Sequence, residues 1–393
     1  MNSTDQKGLL DDVNAFCEEL RPIEELCYVE HRYNDLVIPL AGKYKLLAMP
    51  VSVELGGRGA DTVTYTRALA RIGREGTGVR TFFSGHTSIG QGPIVAWGND
   101  EQKRRFLPRS SSGEIVCAFG LTEPGAGSNP REMTMTYRRR GDEFVLNGEK
   151  YLISNGGIAG VIVTFAYPEG RRGRISAFLV ETGRPGRPGF SSESLDPKVG
   201  NVTADTVRFT LNDYAIPAAN LLGAEGQGLA IAMDTLIGGR LSVAAGCLGT
   251  IEDCLAEVVA YAKAREQHGK PIARHQLVQE HIAAIEMHRI TTEALVLLAA
   301  EAKDASLASP GDSALHARAD QRTAQAKLHA ARAACDAADR AVQVFGGRGF
   351  LEAFRPGRHF QDTRVARLYE GTDEILTLKI AAAVLGKEYQ AFQ

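Results

Sequence analysis

Apolar residues recur at helical spacing from Gly8 to about Gly113, in stretches such as LLDDVNAFCEELRPIEEL and TYTRALARIGRE, with breaks such as ELGGRGAD between them. From about Ile115 the rhythm shortens. Runs rich in β-branched and aromatic residues (EIVCAFGLT, DEFVLNGEKYLIS, GVIVTFAY, ISAFLVE, TADTVRFTLN) alternate with Gly, Asn and Pro, which predicts strands. After GAEGQG at Gly223–Gly228 the chain turns alanine-rich. Long helices are predicted at about Leu229–Glu266, Ala273–Ala308 and Ser313–Phe345, separated by HGKP and SPGD. Long helices with short connections pack antiparallel as a bundle. The pattern divides the chain into a helical domain at 1–114, a β domain at 115–224 and a helical bundle at 225–393.

A chain of 393 residues exceeds the roughly 250–300 at which one core stops growing, in keeping with that division. Lys and Arg number 45 against 47 Asp and Glu, and neither sign forms a long block, which argues against nucleic acid or an anionic membrane surface as partner. The six cysteines are scattered without a CxxC pair, the N-terminus lacks the pattern of a secretory leader, and no apolar run approaches the ~18 residues of a membrane span. A soluble, cytoplasmic protein is expected.

Nucleotide signatures of the GxxxxGK[ST] and GxGxxG type are absent, as is HExxH, and His275, His281 and His288 are spaced wrongly for metal ligation on one helix face. No metal is expected. In AFGLTEPGAGSN (Ala118–Asn129), Gly125 and Gly127 allow close backbone approach to an anion, and Thr122 and Ser128 offer hydroxyl donors; the segment reads equally as a turn between strands. QVFGGRGF (Gln343–Phe350) can be a helix C-cap, and YAKAREQHGKPI (Tyr261–Ile272) a helix end whose Arg265 and Gln267 reach anionic oxygens or only solvent. In RLYEGTDEI, Thr372 can cap a last helix of about Asp373–Leu385, with Asp373 and Glu374 complementing its dipole. Glu370, outside that helix, is then either a spare surface charge or a functional group.

Taken in order, GNDEQKRRFLP, TEPGAGSN, LNGEKYLISNGG, AREQHGKPI, QVFGGRGF and YEGTDEI resemble blocks of the acyl-CoA dehydrogenase family over nearly the whole chain. The resemblance implies a helical N-terminal domain, a middle β domain and a C-terminal four-helix bundle, non-covalent FAD, and oxidation of an acyl-CoA thioester to the trans-2-enoyl thioester. Glu370 stands where most of the family carries the base that takes the α-proton, and its backbone N–H would face the thioester carbonyl. In some members the base instead precedes an arginine resembling Arg240, and here that residue is Gly239. By the same resemblance Phe119, Leu121 and Thr122 line the flavin, Ser128 serves both its pyrophosphate side and the bound thioester, and Ser154 lies near N5. Arg265, Gln267, His268, Gln343, Gly346 and Gly347 hold the ADP portion across a subunit boundary, with Thr372 and Glu374 as further cofactor contacts. Arg240, Tyr369 and Gly371 accompany Glu370 around the substrate. A homo-oligomer, dimer or tetramer, and an electron-transfer flavoprotein as acceptor are implied.

The chain departs from the family pattern at Leu152 (commonly aromatic), His268 (commonly Phe), Val202 (commonly Arg), Asn129 (commonly Asp) and Ala382 (commonly Arg). An acyl-carrier-protein thioester, an oxidase delivering electrons to O2, and a non-catalytic acyl thioester-binding protein therefore stand beside the leading expectation.

Overall fold

The helical periodicity of the first hundred residues becomes α1 (Ser3–Val29), α2 (Val37–Lys43), α3 (Thr62–Gly73), α4 (Thr77–Phe83), α5 (Gly92–Trp97) and α6 (Asp100–Ser112) in a computed structural model that describes residues 3–170, 174–183, 188–389 and 391. Side chains start two of these helices. Asp61 accepts from the Thr64 amide, and Asn99 and Gln102 form a reciprocal capping box. Between α4 and α5, residues Ser84–Gln91 wind as a π-helix, so the chain runs helically from Thr77 to Trp97.

Eight strands follow: β1 (Val116–Gly120), β2 (Thr136–Arg140), β3 (Glu143–Ser154), β4 (Ala159–Pro168), β5 (Ser176–Glu181), β6 (Phe190–Ser194), β7 (Thr206–Pro217) and β8 (Leu221–Leu222). They pair in the order β6-β7-β3-β2-β4-β5-β8, with β1 parallel to β4. Both faces of the sheet are covered. Val161, Val163 and Phe165 of β4 pack with Ile94, Phe106 and Ile231, while Ile162 and Ala166 pack with Phe178 and Phe209, so the strand reads as an unbroken apolar run. Strands β2 and β6 carry no apolar alternation and escape the sequence pattern.

The bundle is built on α7 (Gly228–Ala264), α8 (Gln276–Ala308), α9 (Ser313–Phe345), α10 (Arg355–Thr363) and α11 (Asp373–Leu385). Helix α7 ends at Ala264, two residues before the predicted Glu266, because β9 (Glu266–Gln267) and β10 (Lys270–Pro271) form a hairpin there. Its two turn residues, His268 (φ 53°) and Gly269 (φ 72°), are left-handed, as a tight hairpin requires. Helix α8 starts at Gln276 because Ile272–Arg274 form a 3₁₀ turn after Pro271. One apolar cluster joins Phe16, Leu69 and Phe83 of the N-terminal helices to Leu241, Ile251 and Ala330 of the bundle. Helices α3 and α7 touch through glycine: a Cβ at Gly73 would lie 2.6 Å from the Gly246 carbonyl oxygen. No described helix is long and apolar enough to cross a membrane.

Candidate active site

The chain leaves α10 through a 3₁₀ turn at Arg364–Arg367 and then reverses at Glu370 and Gly371, with φ of 54° and 95°. Glycine adopts that region freely; a glutamate there is uncommon, and such conformations persist where surrounding contacts hold them. The contacts are visible. Arg240 donates from Nε to the Glu370 carbonyl (3.4 Å) and from Nη1 to Asp320 (2.8 Å), which Lys379 also meets at 2.5 Å. Lys327 donates to the Gly371 carbonyl at 2.6 Å. Thr372 caps α11 by accepting from the Ile375 amide, and Asp373 is paired with Arg332 and Arg367.

Glu370 itself points inward. The residue keeps some exposure, but its Oε2 is sealed from solvent and has no hydrogen-bond partner. It lies over Gly239 of α7, where an added Cβ would come within 2.7 Å of its Cδ and 2.9 Å of its Oε1. Burial raises the carboxyl to about 7, against the fields of Arg240, Lys327 and Arg80, which lower it. Burial likewise draws the Lys327 ammonium down to about 8. Glu370 is thus no spare surface charge: it is a carboxyl group held inside the protein with one oxygen unpartnered.

Beside Glu370, Tyr369 accepts a hydrogen bond from Arg80 of α4, whose guanidinium also stacks 5.4 Å from the ring. Burial raises the Tyr369 hydroxyl, so the phenol stays protonated.

The second group of expected residues lies on the sheet. The loop after β1 is tied to β3 by the Tyr151 amide, which donates to the Thr122 carbonyl at 2.9 Å. At its root, Lys150 donates to Glu123 (2.9 Å) and to the Leu121 carbonyl (3.0 Å), and Glu123 also accepts from the amides of Thr134 and Met135. Sequence reasoning missed this pair. Its only signal was a lysine at an inward-facing position of a strand. Phe119 and Leu121 are buried, Phe119 edge-on to Phe165 at 5.0 Å. Ser154 pairs with Thr206 at the end of β3, half-buried, while Leu152 at a bulge is exposed with φ 58°. Gly125, Gly127 and Ser128 form the exposed tip of the loop. The π-helix packs on both β1 and α7, and Asn155 after β3 donates to the Phe82 carbonyl (3.0 Å), so loop and glutamate border one helical run.

The third group gathers at the far end of the bundle. A cavity of about 630 Å³ is lined by Arg265, Gln267 and His268 of the hairpin and by Gly346 and Gly347 after α9, with Tyr261 and Phe345 stacked 4.1 Å apart in its wall. Arg348, not singled out from sequence, joins them. Two guanidiniums and an open glycine backbone suit a diphosphate, and the stacked rings an apolar face of its nucleoside. Gln343 is exposed near the end of α9, outside the lining, and Glu374 is exposed in the first turn of α11. Among the described residues no three His, Cys, Asp or Glu side chains are grouped to hold a metal.

A helical layer, a sheet and a helix bundle thus hold a buried acid over α7, with a cavity carrying two arginines at the far end of the bundle. Comparison with known proteins makes this particular. The models of the acyl-CoA dehydrogenase N-terminal, middle and C-terminal domains match residues 3–114, 118–214 and 226–385. An acyl-CoA dehydrogenase of Bacillus subtilis is 36% identical over 371 residues, 94% of either chain. Butyryl-CoA dehydrogenase from Megasphaera elsdenii superposes with a TM-score of 0.91 at 32% identity, covering 98% of this chain and 99% of that one. An acyl-CoA dehydrogenase from Bacillus anthracis complexed with FAD superposes with a TM-score of 0.91 at 29% identity, covering all of this chain and 68% of that one. The chain belongs to the acyl-CoA dehydrogenase family.

Proposed function

We propose that this FAD-dependent oxidoreductase of acyl-CoA CH–CH bonds uses Glu370 as the base that takes the α-proton of a bound thioester. The observation that carries the reading is the buried, unpartnered Oε2 of Glu370 over Gly239. A base must be desolvated enough to sit near neutral pKa and must keep a lone pair for the substrate. Position 239 of α7, being glycine, offers no second acid there, and its missing side chain gives the Glu370 carboxylate its place.

FAD, when bound, supplies the acceptor for the β-hydride. Arg240 and Lys327 engage the carbonyls of residues 370 and 371 and so fix the reversal that aims the carboxylate. The Glu370 amide is assigned to the thioester carbonyl oxygen, where a donor stabilises the charge that develops as the proton leaves. Arg265, Gln267, His268, Arg348, Gly346 and Gly347 would hold the diphosphate end of the cofactor, with Gln343 nearby. Phe119, Leu121, Thr122 and Ser154 would border its ring, Thr372 and Glu374 would extend the cofactor contacts, and Ser128 would meet the pantetheine of the thioester. The cavity at Arg265 is lined in part by exposed residues; a second copy of the chain would complete it, and the active unit would then be at least a dimer. An electron-transfer flavoprotein would reoxidise the flavin, in the cytoplasm.

Anaerobic mixing of the yellow protein with a panel of acyl-CoA and acyl-carrier thioesters tests the reading. Bleaching of the flavin by at least one member is expected; a flavin that stays oxidised with all of them, while FAD remains bound, would remove dehydrogenation and leave thioester binding.

A further inference from the structure

A pocket for a plain hydrocarbon chain would be lined by apolar side chains. The wall beside Glu370 differs. Arg80, Ser84 and Ser88 recur every fourth residue along α4 and the π-helix, and lie against Gly246, Ser242 and Gly238 of α7 in turn. Ser84 Oγ and Ser242 Oγ lie 2.7 Å apart, and Ser88 Oγ is 2.8 Å from the Tyr65 hydroxyl. Gly246 makes room for the arginine: a Cβ there would lie 2.5 Å from Arg80 Cδ and 2.7 Å from its Nε.

Arg80 is 3% exposed, yet it makes no ion pair among the described residues. The bond to Tyr369 is the one hydrogen bond that links its guanidinium to a described residue, out of five N–H donors. Asp362 is close enough for the two charges to interact, but its carboxylate is turned to the Asn201 amide at 2.5 Å, and burial raises it to about 7. Lys303, whose Nζ would lie 2.9 Å from a Cβ at Gly238, likewise makes no ion pair among the described residues. A buried guanidinium without an anion is costly, and a neutral donor would serve to hold Tyr369.

We infer that the acyl group of the substrate is short and carries a carboxylate at its far end, which Arg80 receives while Glu370 acts at the α-carbon. The inference rests on the dehydrogenase reading for the identity of the pocket. Its carboxylate takes no part in bond making; it fixes which thioester is bound and in what register. The chemistry is that of a dicarboxylic acid held as its monothioester.

The test is equilibrium binding to the FAD-loaded protein in a Glu370→Gln background, where turnover does not consume the ligand. Succinyl-CoA and glutaryl-CoA are compared with butyryl-CoA and pentanoyl-CoA, with Arg80 intact, as Arg80→Lys and as Arg80→Gln. With Arg80 the carboxylate-ended thioesters should bind at least about tenfold tighter, a charge-assisted pair being worth that much. Arg80→Lys should keep part of the preference and Arg80→Gln should abolish it. Equal binding of the two classes with Arg80, or a preference that survives Arg80→Gln, would overturn the inference. FAD content and the melting curve show that each variant is folded, and Arg80→Lys carries the test if Arg80→Gln is not. Flavin bleaching in the Glu370 protein reads the other question separately. Bleaching by methyl-ended thioesters that also bind better would leave dehydrogenation standing and remove the role of Arg80. A carboxylate preference without bleaching would do the reverse.

Discussion

Glu370 combines three properties that rarely coincide: a left-handed backbone, a buried carboxylate and an oxygen with no partner. Replacing it by Gln should lower the rate of flavin reduction at least about 100-fold while FAD stays bound, measured by anaerobic stopped flow. In the wild-type protein that rate should rise with pH through about 7 and level off above it, since only the ionised carboxylate accepts the proton. Stability runs the other way. The folded carboxyl holds its proton to about 7, whereas unfolded it ionises near 4.5, so the native state loses stability as pH rises between those values. Glu370→Gln should therefore melt above the wild type at pH 8 and together with it near pH 4, by calorimetry. The motif made Glu370 legible as a candidate, but its burial was not, because Gly239 and Lys327, which enclose it, lie on other helices far away in the chain.

Among the elements, α7 and β3 act on the site through single positions. Gly239→Ala puts a methyl where the Glu370 carboxylate lies, and the displaced base should cost roughly 100-fold in turnover with FAD content unchanged. Lys150→Ala leaves Glu123 buried without its cation and should destabilise the fold by about 3–5 kcal/mol in denaturant titration. Helix positions were readable from periodicity, and α9 and α11 follow their predicted spans. TYRRR at β2 and FSSES at β6 were not readable. Each is exposed along much of its length, so pairing with β3 and β7 rather than apolar pattern makes them strands. The hairpin of β9 and β10 escaped for a similar reason: it is two residues a side and held by its turn.

For the whole molecule, the changes of rhythm near Ile115 and Gly228 fall where α6 gives way to β1 and β8 to α7. What the sequence could not show is that the first helices and the bundle share one core, since those contacts join residues from opposite ends of the chain. The cavity at Arg265 is the feature on which assembly would depend. Arg265→Gln should release FAD during gel filtration and lower the sedimentation coefficient toward that of the single chain, if the cofactor bridges two copies. A variant that loses FAD and keeps its size would separate cofactor binding from assembly.

The run from Thr77 to Trp97 imposes a rule of a different kind, one of counting. Its middle, Ser84–Gln91, winds in wider turns than the α4 and α5 segments that flank it, so the whole run has a fixed number of residues between the arginine that faces the site and the glutamine, Gln91, that donates to Ser110 at 3.0 Å. Each residue of an α-helix turns the next by about 100°. Dropping one residue from the π segment would let it relax to the narrower coil and would swing either Arg80 or Gln91 off its station. Substitution can be absorbed here one side chain at a time, but a gained or lost codon cannot.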